Sequence, residues 1–62
     1  MNLENKIENH LRENGITGFE VMRRRLKVSM TQLFSVLDGM KKEGKVMIHR
    51  HGGGYRIQWV AP

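Results

Sequence analysis

Apolar residues recur at helical spacing in three stretches of the chain, each with polar residues between them. The stretches cover residues 3–13, 18–26 and 30–43 and predict three amphipathic helices. Gly15 follows the first stretch as a stop signal, because glycine accepts a positive φ without strain. The apolar positions are Leu3, Ile7 and Leu11 in the first stretch, Phe19, Met22 and Leu26 in the second, and Leu33, Val36, Leu37 and Met40 in the third.

Two sequence signals mark the starts of the second and third helices. Thr17 and Glu20, like Ser29 and Gln32, have the spacing of a capping box, in which each side chain satisfies a free backbone N–H of the first helical turn. The second box follows Leu26 by only two residues. That interval leaves room for nothing but a tight turn between two helices.

Beyond residue 44 the apolar period changes from that of a helix to two, which predicts strands over residues 45–60. A hairpin centred on Gly52 and Gly53 places most apolar residues on one face. Ile16 is a candidate for a very short strand at the hairpin edge. The predicted cross-strand pairs are Arg50 with Tyr55, Ile48 with Ile57 and Val46 with Trp59 on one face, and Met47 with Gln58 and His49 with Arg56 on the other.

The length of 62 residues indicates one small domain, too small to enclose a substrate cleft or a cofactor, so no cofactor is expected. The absence of cysteine excludes disulfides and thiolate chemistry and suits a cytoplasmic protein. Apolar runs such as residues 46–48 are far shorter than the roughly 20 residues of a membrane helix. We therefore expect neither a membrane segment nor a signal peptide.

The net charge of +5 is unevenly distributed. Residues 15–28 hold four basic side chains against one acid, and residues 45–62 hold three basic side chains and no acid. The rest of the chain is nearly neutral. A basic surface of this kind attracts polyanions, nucleic acid first and an anionic membrane surface second.

The order of helix, helix, tight turn, helix and hairpin resembles a winged helix-turn-helix domain, an α+β fold. The residues that carry the resemblance run from Leu26 to Leu33 and continue through Leu37, Met40 and residues 43–46. They are similar to the turn, the recognition helix and the start of the wing in small prokaryotic and phage transcriptional regulators. The resemblance implies double-stranded DNA as partner, with the third helix in the major groove and the hairpin wing on the backbone or minor groove.

Two positions depart from that family pattern. Lys27 stands where the turn often has glycine, and Arg23 stands where a small residue often lets the second and third helices approach. Either the helix crossing is wider here or Arg23 points outward.

Short polar residues at the start of the third helix are the candidate base contacts, because that end of a recognition helix reaches base edges and phosphates. Gln32 can bond an adenine edge bidentately or serve only as the capping partner of Ser29. Thr31 and Ser35 are base or phosphate contacts, or simply helix surface. The Asp38 carboxylate is repelled by phosphate unless it accepts a hydrogen bond from a cytosine amino group or pairs with a neighbouring lysine.

The three arginines at residues 23–25 cannot all point in the same direction, because successive residues of a helix are rotated by 100° about its axis. One or two are expected to contact phosphate, and the rest to lie in solvent. The wing is either an ordinary hairpin or one whose arginine enters a narrow minor groove. Its histidines make a weak metal site conceivable and suggest DNA binding that weakens as pH rises. The complete set of candidate DNA contacts is Arg23, Arg24, Lys27, Ser29, Thr31, Gln32, Ser35, Lys42, His49, Arg50, His51 and Arg56.

The remaining aromatic residues and the methionines fit the core or its rim. Phe34 lies about 110° from the centre of the buried stripe, so it is either core rim or a base or partner contact. Met30 is either an exposed side chain or a contact to a thymine methyl group. Trp59, Tyr55 and the five methionines are predicted at the core or its edge.

The function that the sequence favours is a sequence-preferring DNA-binding regulator, acting as a homodimer or through cooperative neighbours because one module covers a small site. The alternative is a winged-helix module in which Phe34, Met30 and the wing bind a replication or transcription protein. Duplex RNA is less suited, since A-form RNA lacks a wide major groove. An enzyme is not expected, because no nucleophile–base pair or carboxylate pair stands out.

Overall fold

The structure, a computed structural model, describes residues 2–62. It contains three helices and a small antiparallel sheet, so the predicted α+β fold is confirmed. This arrangement is that of a winged helix. The elements in chain order are α1 (Leu3–Asn14), β1 (Thr17–Gly18), α2 (Phe19–Leu26), α3 (Met30–Lys42), β2 (Val46–His51) and β3 (Gly54–Trp59).

The helix ends follow local side-chain chemistry closely. Asn2 caps α1 by accepting a hydrogen bond from the Asn5 backbone N–H (2.8 Å). Gly15 ends α1 with φ +74°, as its position after the apolar stripe predicts. All three predicted helices are confirmed with ends within one residue. Among residues 2–62, no helix is both long and apolar enough to cross a membrane.

The predicted capping box at Thr17 is wrong. Thr17 is extended, 7% exposed and paired with Ile57 of β3, and its hydroxyl donates to the Gly15 carbonyl (2.9 Å). Pairing with the sheet therefore takes precedence over capping, and Gly18 becomes the N-cap without a side-chain hydrogen bond. The short strand is real but consists of Thr17–Gly18, one residue beyond the predicted Ile16.

The sheet has the strand order β1-β3-β2, so the last strand in the chain is the central one. The hairpin register is confirmed at every predicted pair, from Val46 opposite Trp59 to Arg50 opposite Tyr55. Gly52 takes a positive φ of 59° at the turn, which glycine adopts without a Cβ clash. The apolar face of the hairpin thus points at the helices in a single register.

The core lies between the three helices and the inner face of the hairpin. Leu33, Leu37 and Met40 of α3 are at most 1% exposed. They pack with buried residues of every other helix and of the hairpin, so α3 is held along its whole length. The other buried apolar residues are Ile7, Leu11, Met22, Val46 and Ile57.

Several residues predicted at the core or its edge lie on the surface instead. Met30 is 60% exposed and Met47 is 51% exposed, while Tyr55 is 43% exposed at the wing tip. Trp59 is half-buried and packs against the core as predicted. Met1 lies outside the described residues. The exposed side chains follow from their places at the N-terminus of α3 and at the outer face and tip of a hairpin that extends past the helices.

Two long-range contacts fasten α1 to the end of the chain and to the start of the hairpin. The Arg12 guanidinium lies 5.1 Å from the centre of the Trp59 ring and donates to the Pro62 carbonyl (2.9 Å). Lys45 donates to Glu4 (3.0 Å), and that hydrogen bond raises the pKa of Lys45. These contacts join α1 to the two ends of the hairpin.

Candidate nucleic-acid interface

The N-terminal half of α3 presents polar side chains on the face opposite the core. Ser29 is the N-cap, and its hydroxyl oxygen accepts a hydrogen bond from the Gln32 backbone N–H (3.0 Å). Thr31, Gln32 and Ser35 are all exposed. Since Leu33 and Leu37 anchor the other side of the helix, these three side chains are held on a rigid support.

Only half of the predicted capping box at Ser29 is formed. The Ser29 cap is confirmed, but within residues 2–62 no hydrogen bond joins the Gln32 side chain to the Ser29 backbone. The Gln32 amide therefore projects from the first turn of α3 with its donors and its acceptor exposed. The Gln32 side chain therefore does not serve as the capping partner of Ser29 among the described residues.

The three arginines of α2 face different neighbours. Arg23 donates to the Glu20 carboxylate, and this hydrogen bond lowers the pKa of Glu20 and raises that of Arg23. Arg25 bonds His10 Nε2 (3.3 Å). Arg24 is exposed and forms no ion pair among the described residues. Of the run, Arg24 is therefore the side chain best placed to meet a phosphate.

Arg23 has its side chain turned outward to Glu20, with 31% of its side-chain surface exposed. This is the second of the two outcomes expected for a large residue at a position usually occupied by a small one. The contact with Glu20 occupies the guanidinium. A phosphate contact by Arg23 would compete with this ion pair.

Lys27 ends α2 in the left-handed conformation (φ 58°, ψ 48°) and is the non-glycine residue with positive φ in the described chain. Its backbone N–H bonds the Arg23 carbonyl, which closes the last turn of α2. The turn thus has the backbone that glycine prefers, at a cost of about 1 kcal/mol for lysine. In exchange, an exposed cation lies two residues before the N-cap of α3.

The wing distributes its candidate residues over two faces. His49 and Arg56 are cross-strand partners on the outer face, and His49 Nε2 bonds the Gln58 side-chain oxygen (2.8 Å). Arg50 lies opposite Tyr55 on the inner face, toward α3. His51 pairs with Gly54 beside the turn. These residues share the wing tip but do not form one cluster.

The predicted pairing of Asp38 with a neighbouring lysine is confirmed. Lys42 Nζ lies 3.2 Å from the Asp38 carboxylate one helical turn away. The pair neutralises the acid on the exposed face of α3. Both side chains remain solvent-accessible, so the ion pair contributes little to stability and can open for a phosphate. Within residues 2–62, no group of three potential ligands is placed to hold a metal ion.

Most acids are neutralised within the protein, whereas many cations are not. Glu4, Glu8, Glu20, Asp38 and Glu43 each contact a basic side chain. The positive charge that remains is therefore available to an external anion. In residues 2–62, the cations with neither an ion pair nor a side-chain hydrogen bond are Lys6, Arg24, Lys27, Lys41, Arg50 and Arg56.

A groove of about 700 Å³ separates the N-terminal half of α3 from the wing tip. Thr31 and Ser35 line one side of it, and Gly53, Gly54 and Tyr55 line another. The candidate base-reading residues and the wing tip therefore border one concave surface. The third side is the N-terminal turn of α2, from Gly18 to Val21.

The sequence did not predict that groove. Phe34 lines the groove, 53% exposed, with its ring edge-on to Phe19 at 6.5 Å between centroids. Phe34 is thus outside the buried core, and its ring contacts Phe19, which packs against the core. Two sequence features could have indicated the groove. Phe34 is offset by about 110° from the buried stripe of α3, and Val21 is an apolar residue outside the buried stripe of α2.

Comparison with known proteins finds no matching family model, no matching curated protein and no matching solved structure.

Proposed function

We propose that this chain is a DNA-binding regulator that inserts the N-terminal half of α3 into the major groove. The observation that carries the proposal is the arrangement of α3: its apolar face is buried, while Thr31, Gln32 and Ser35 are exposed at the capped end. Free backbone N–H groups and the helix dipole at that end favour phosphate, and the side chains suit base edges.

The surrounding charges support the same proposal. Arg24 and Lys27 lie at the C-terminal end of α2, and Arg50 and Arg56 lie on the two faces of the wing, all without an acidic partner in residues 2–62. We assign these four cations to the sugar–phosphate backbone and the minor groove. Ser29, Lys42, His49 and His51 are secondary contacts at the edges of this surface.

The dimensions of the molecule bear on how many copies bind. Its longest Cα extent is 28 Å, shorter than the roughly 34 Å that separates major-groove half-sites on one face of B-DNA. One copy therefore reaches one half-site. Specific recognition of a longer operator calls for two copies, either as a dimer or as cooperative neighbours.

Fluorescence anisotropy with a labelled random duplex of about 20 base pairs tests the proposal. If about five phosphates are neutralised, the logarithm of the affinity falls with the logarithm of salt concentration with a slope of roughly −4 to −5. Absence of binding at low salt would contradict DNA binding altogether.

Selection of bound duplexes from a random pool, repeated with Gln32→Ala, tests base reading. We expect the preference at one base position to relax, with a loss of about 1–3 kcal/mol on the preferred site and unchanged thermal stability. Asn5→Ala, which removes an exposed amide from α1, is the matched control and should leave the preference intact. A uniform loss of affinity on all duplexes would assign Gln32 to a non-reading role.

A further inference from the structure

The groove between α2, α3 and the wing tip is apolar where the surrounding surface is charged. Its lining includes Phe19, Val21, Met30, Phe34 and Tyr55. Four of these are large side chains at least 37% exposed, Met30 at 60% and Phe34 at 53%. Large exposed apolar side chains gathered in one concavity are typical of a binding surface.

Each of the three elements that border the groove also bears a cation beyond its apolar lining. Arg24 follows Val21 by three residues and lies one turn along the same face of α2. Lys41 follows Phe34 by seven residues on the same stripe of α3, about 10 Å along the axis. Arg50 lies directly opposite Tyr55 on the same face of the hairpin.

These three cations are among those that form no ion pair within the described chain. The acid in the lining, Glu20, is bonded to Arg23 and does not offset them. The groove is therefore an apolar trough with an uncompensated basic rim. The complementary ligand has an apolar ridge flanked by carboxylates.

We propose that this groove binds an amphipathic acidic helix of a partner protein. The helix lays apolar side chains at positions i, i+3 or i+4, and i+7 over Phe34, Val21 and Met30, and its flanking Asp or Glu residues meet Arg24, Lys41 and Arg50. The volume of about 700 Å³ suits two or three large side chains. The aromatic pair Phe19–Phe34 is the anchor of the contact.

The groove shares residues with the DNA-binding surface, which has a regulatory consequence. Thr31 and Ser35 line the groove and are also candidate base contacts. An occupant of the groove therefore excludes the major groove of DNA from the same side of α3. Docking of the acidic helix is independent of DNA binding, and only this competition rests on the proposed function.

Three labelled 16-residue peptides test the docking. The first has Leu at helical spacing with Glu on both flanks; the second replaces Glu with Lys; the third scrambles the first, which keeps the charge and removes the apolar face. We expect the first to bind at least tenfold more tightly than either control in anisotropy titrations at constant salt. Equal binding of the scrambled acidic peptide would overturn the proposal, because charge alone would then suffice.

Two variants locate the contact. Phe34→Ser should weaken binding of the first peptide at least tenfold. Met47→Ser, which removes an equally exposed apolar side chain from the opposite face of the wing, should change it less than twofold. Equal losses in both variants would overturn the assignment to the groove.

Backbone amide chemical shifts of the unmodified protein provide a readout that does not depend on the folding of a variant. Saturation with the first peptide should shift the amides of Gly53, Gly54 and Thr31 and leave those of Met47 and Gln58 in place. The reverse pattern would overturn the proposal. So would sedimentation as a dimer that Phe34→Ser dissociates, since a second copy would then occupy the groove.

The labelled duplex separates this proposal from the proposed function. Excess first peptide should displace the duplex, and the scrambled peptide should displace it at least tenfold less effectively. Peptide binding without any duplex binding would leave the docking intact and contradict the DNA proposal. Duplex binding without peptide binding would do the opposite.

Discussion

Two cations at α1, Arg12 and Lys45, and two cations of α2 and the wing, Arg24 and Arg56, are used in different ways. Arg12 bonds Glu8, lies over the Trp59 ring and donates to the Pro62 carbonyl, and Lys45 joins Glu4 to Glu43. Arg24 of α2 and Arg56 of the wing have no acidic partner within residues 2–62. The same side-chain chemistry thus stabilises the fold on one side and remains available for a ligand on the other.

The largest expected effect comes from removing the two unpaired positive charges, Arg24 and Arg56. The double variant Arg24→Gln/Arg56→Gln should weaken duplex binding on the order of tenfold and make the salt slope shallower by about 2, because each phosphate contact contributes about 0.9. Anisotropy titrations across salt concentrations measure both. Thermal stability should stay within about 0.5 kcal/mol, as is usual for exposed substitutions.

Lys6→Gln is the control for that variant, since it removes an exposed cation of α1. Its salt slope should equal that of the unmodified protein. If Lys6→Gln changed the salt slope as much per removed charge as Arg24→Gln/Arg56→Gln does, DNA binding would depend on total charge and not on where the charge lies.

Arg12→Gln should lower stability without changing DNA binding. Loss of the contact with Trp59 and of the hydrogen bond to Pro62 should lower the free energy of unfolding by about 1 kcal/mol, with the salt slope unchanged. Urea unfolding followed by Trp59 fluorescence measures the stability. An unchanged unfolding midpoint would show that this contact contributes nothing to the fold.

Lys27→Gly should improve stability while it weakens DNA binding. Glycine adopts φ 58° without strain, so the free energy of unfolding should rise by about 0.5–1 kcal/mol. Loss of the charge should make the salt slope shallower by about 1. Lys27→Ala retains the strain and removes the charge, so a stability gain of equal size in that variant would contradict the conformational explanation.

The smallest expected effect concerns His10. Partial burial, and then the nearby Arg25, lower its pKa below the ordinary value of 6.5, so the folded protein favours neutral His10. The resulting contribution to stability is present above pH 6.5 and is lost as pH falls from there through the depressed value. We expect a small loss of stability between pH 7.5 and 5, measured by urea unfolding. His10→Gln should remove that part of the pH dependence, and an identical profile in the variant would assign it to other groups.

The sequence alone correctly predicts the elements in which apolar residues recur with a clear period. The stripe of Leu33, Leu37 and Met40 and the register that pairs Ile48 with Ile57 are both as predicted, because each placement buries many apolar groups at once. Local capping signals were less reliable. Ser29 caps α3, but Thr17 does not cap α2, since pairing with β3 requires the same residue in a strand.

The candidate site was only partly predictable for a similar reason. Exposure of Thr31, Gln32 and Ser35 follows from helix periodicity, and the structure agrees. Which arginine of α2 stays unpaired depends on the positions of Glu20 and His10, and sequence spacing does not determine side-chain rotamers. The apolar groove depends on how far the wing tip lies from Phe34, which is a property of the tertiary arrangement.

The strand order has a consequence for how this chain folds. Because β3 is the central strand, both β1 and β2 lack their hydrogen-bonding partner until residues 54–59 take their place between them. Ile57, which is fully buried, is added to the core at the same moment. A chain that ends before residue 54 therefore cannot form the sheet, and its β1 and β2 segments are left with unpaired edges that favour aggregation.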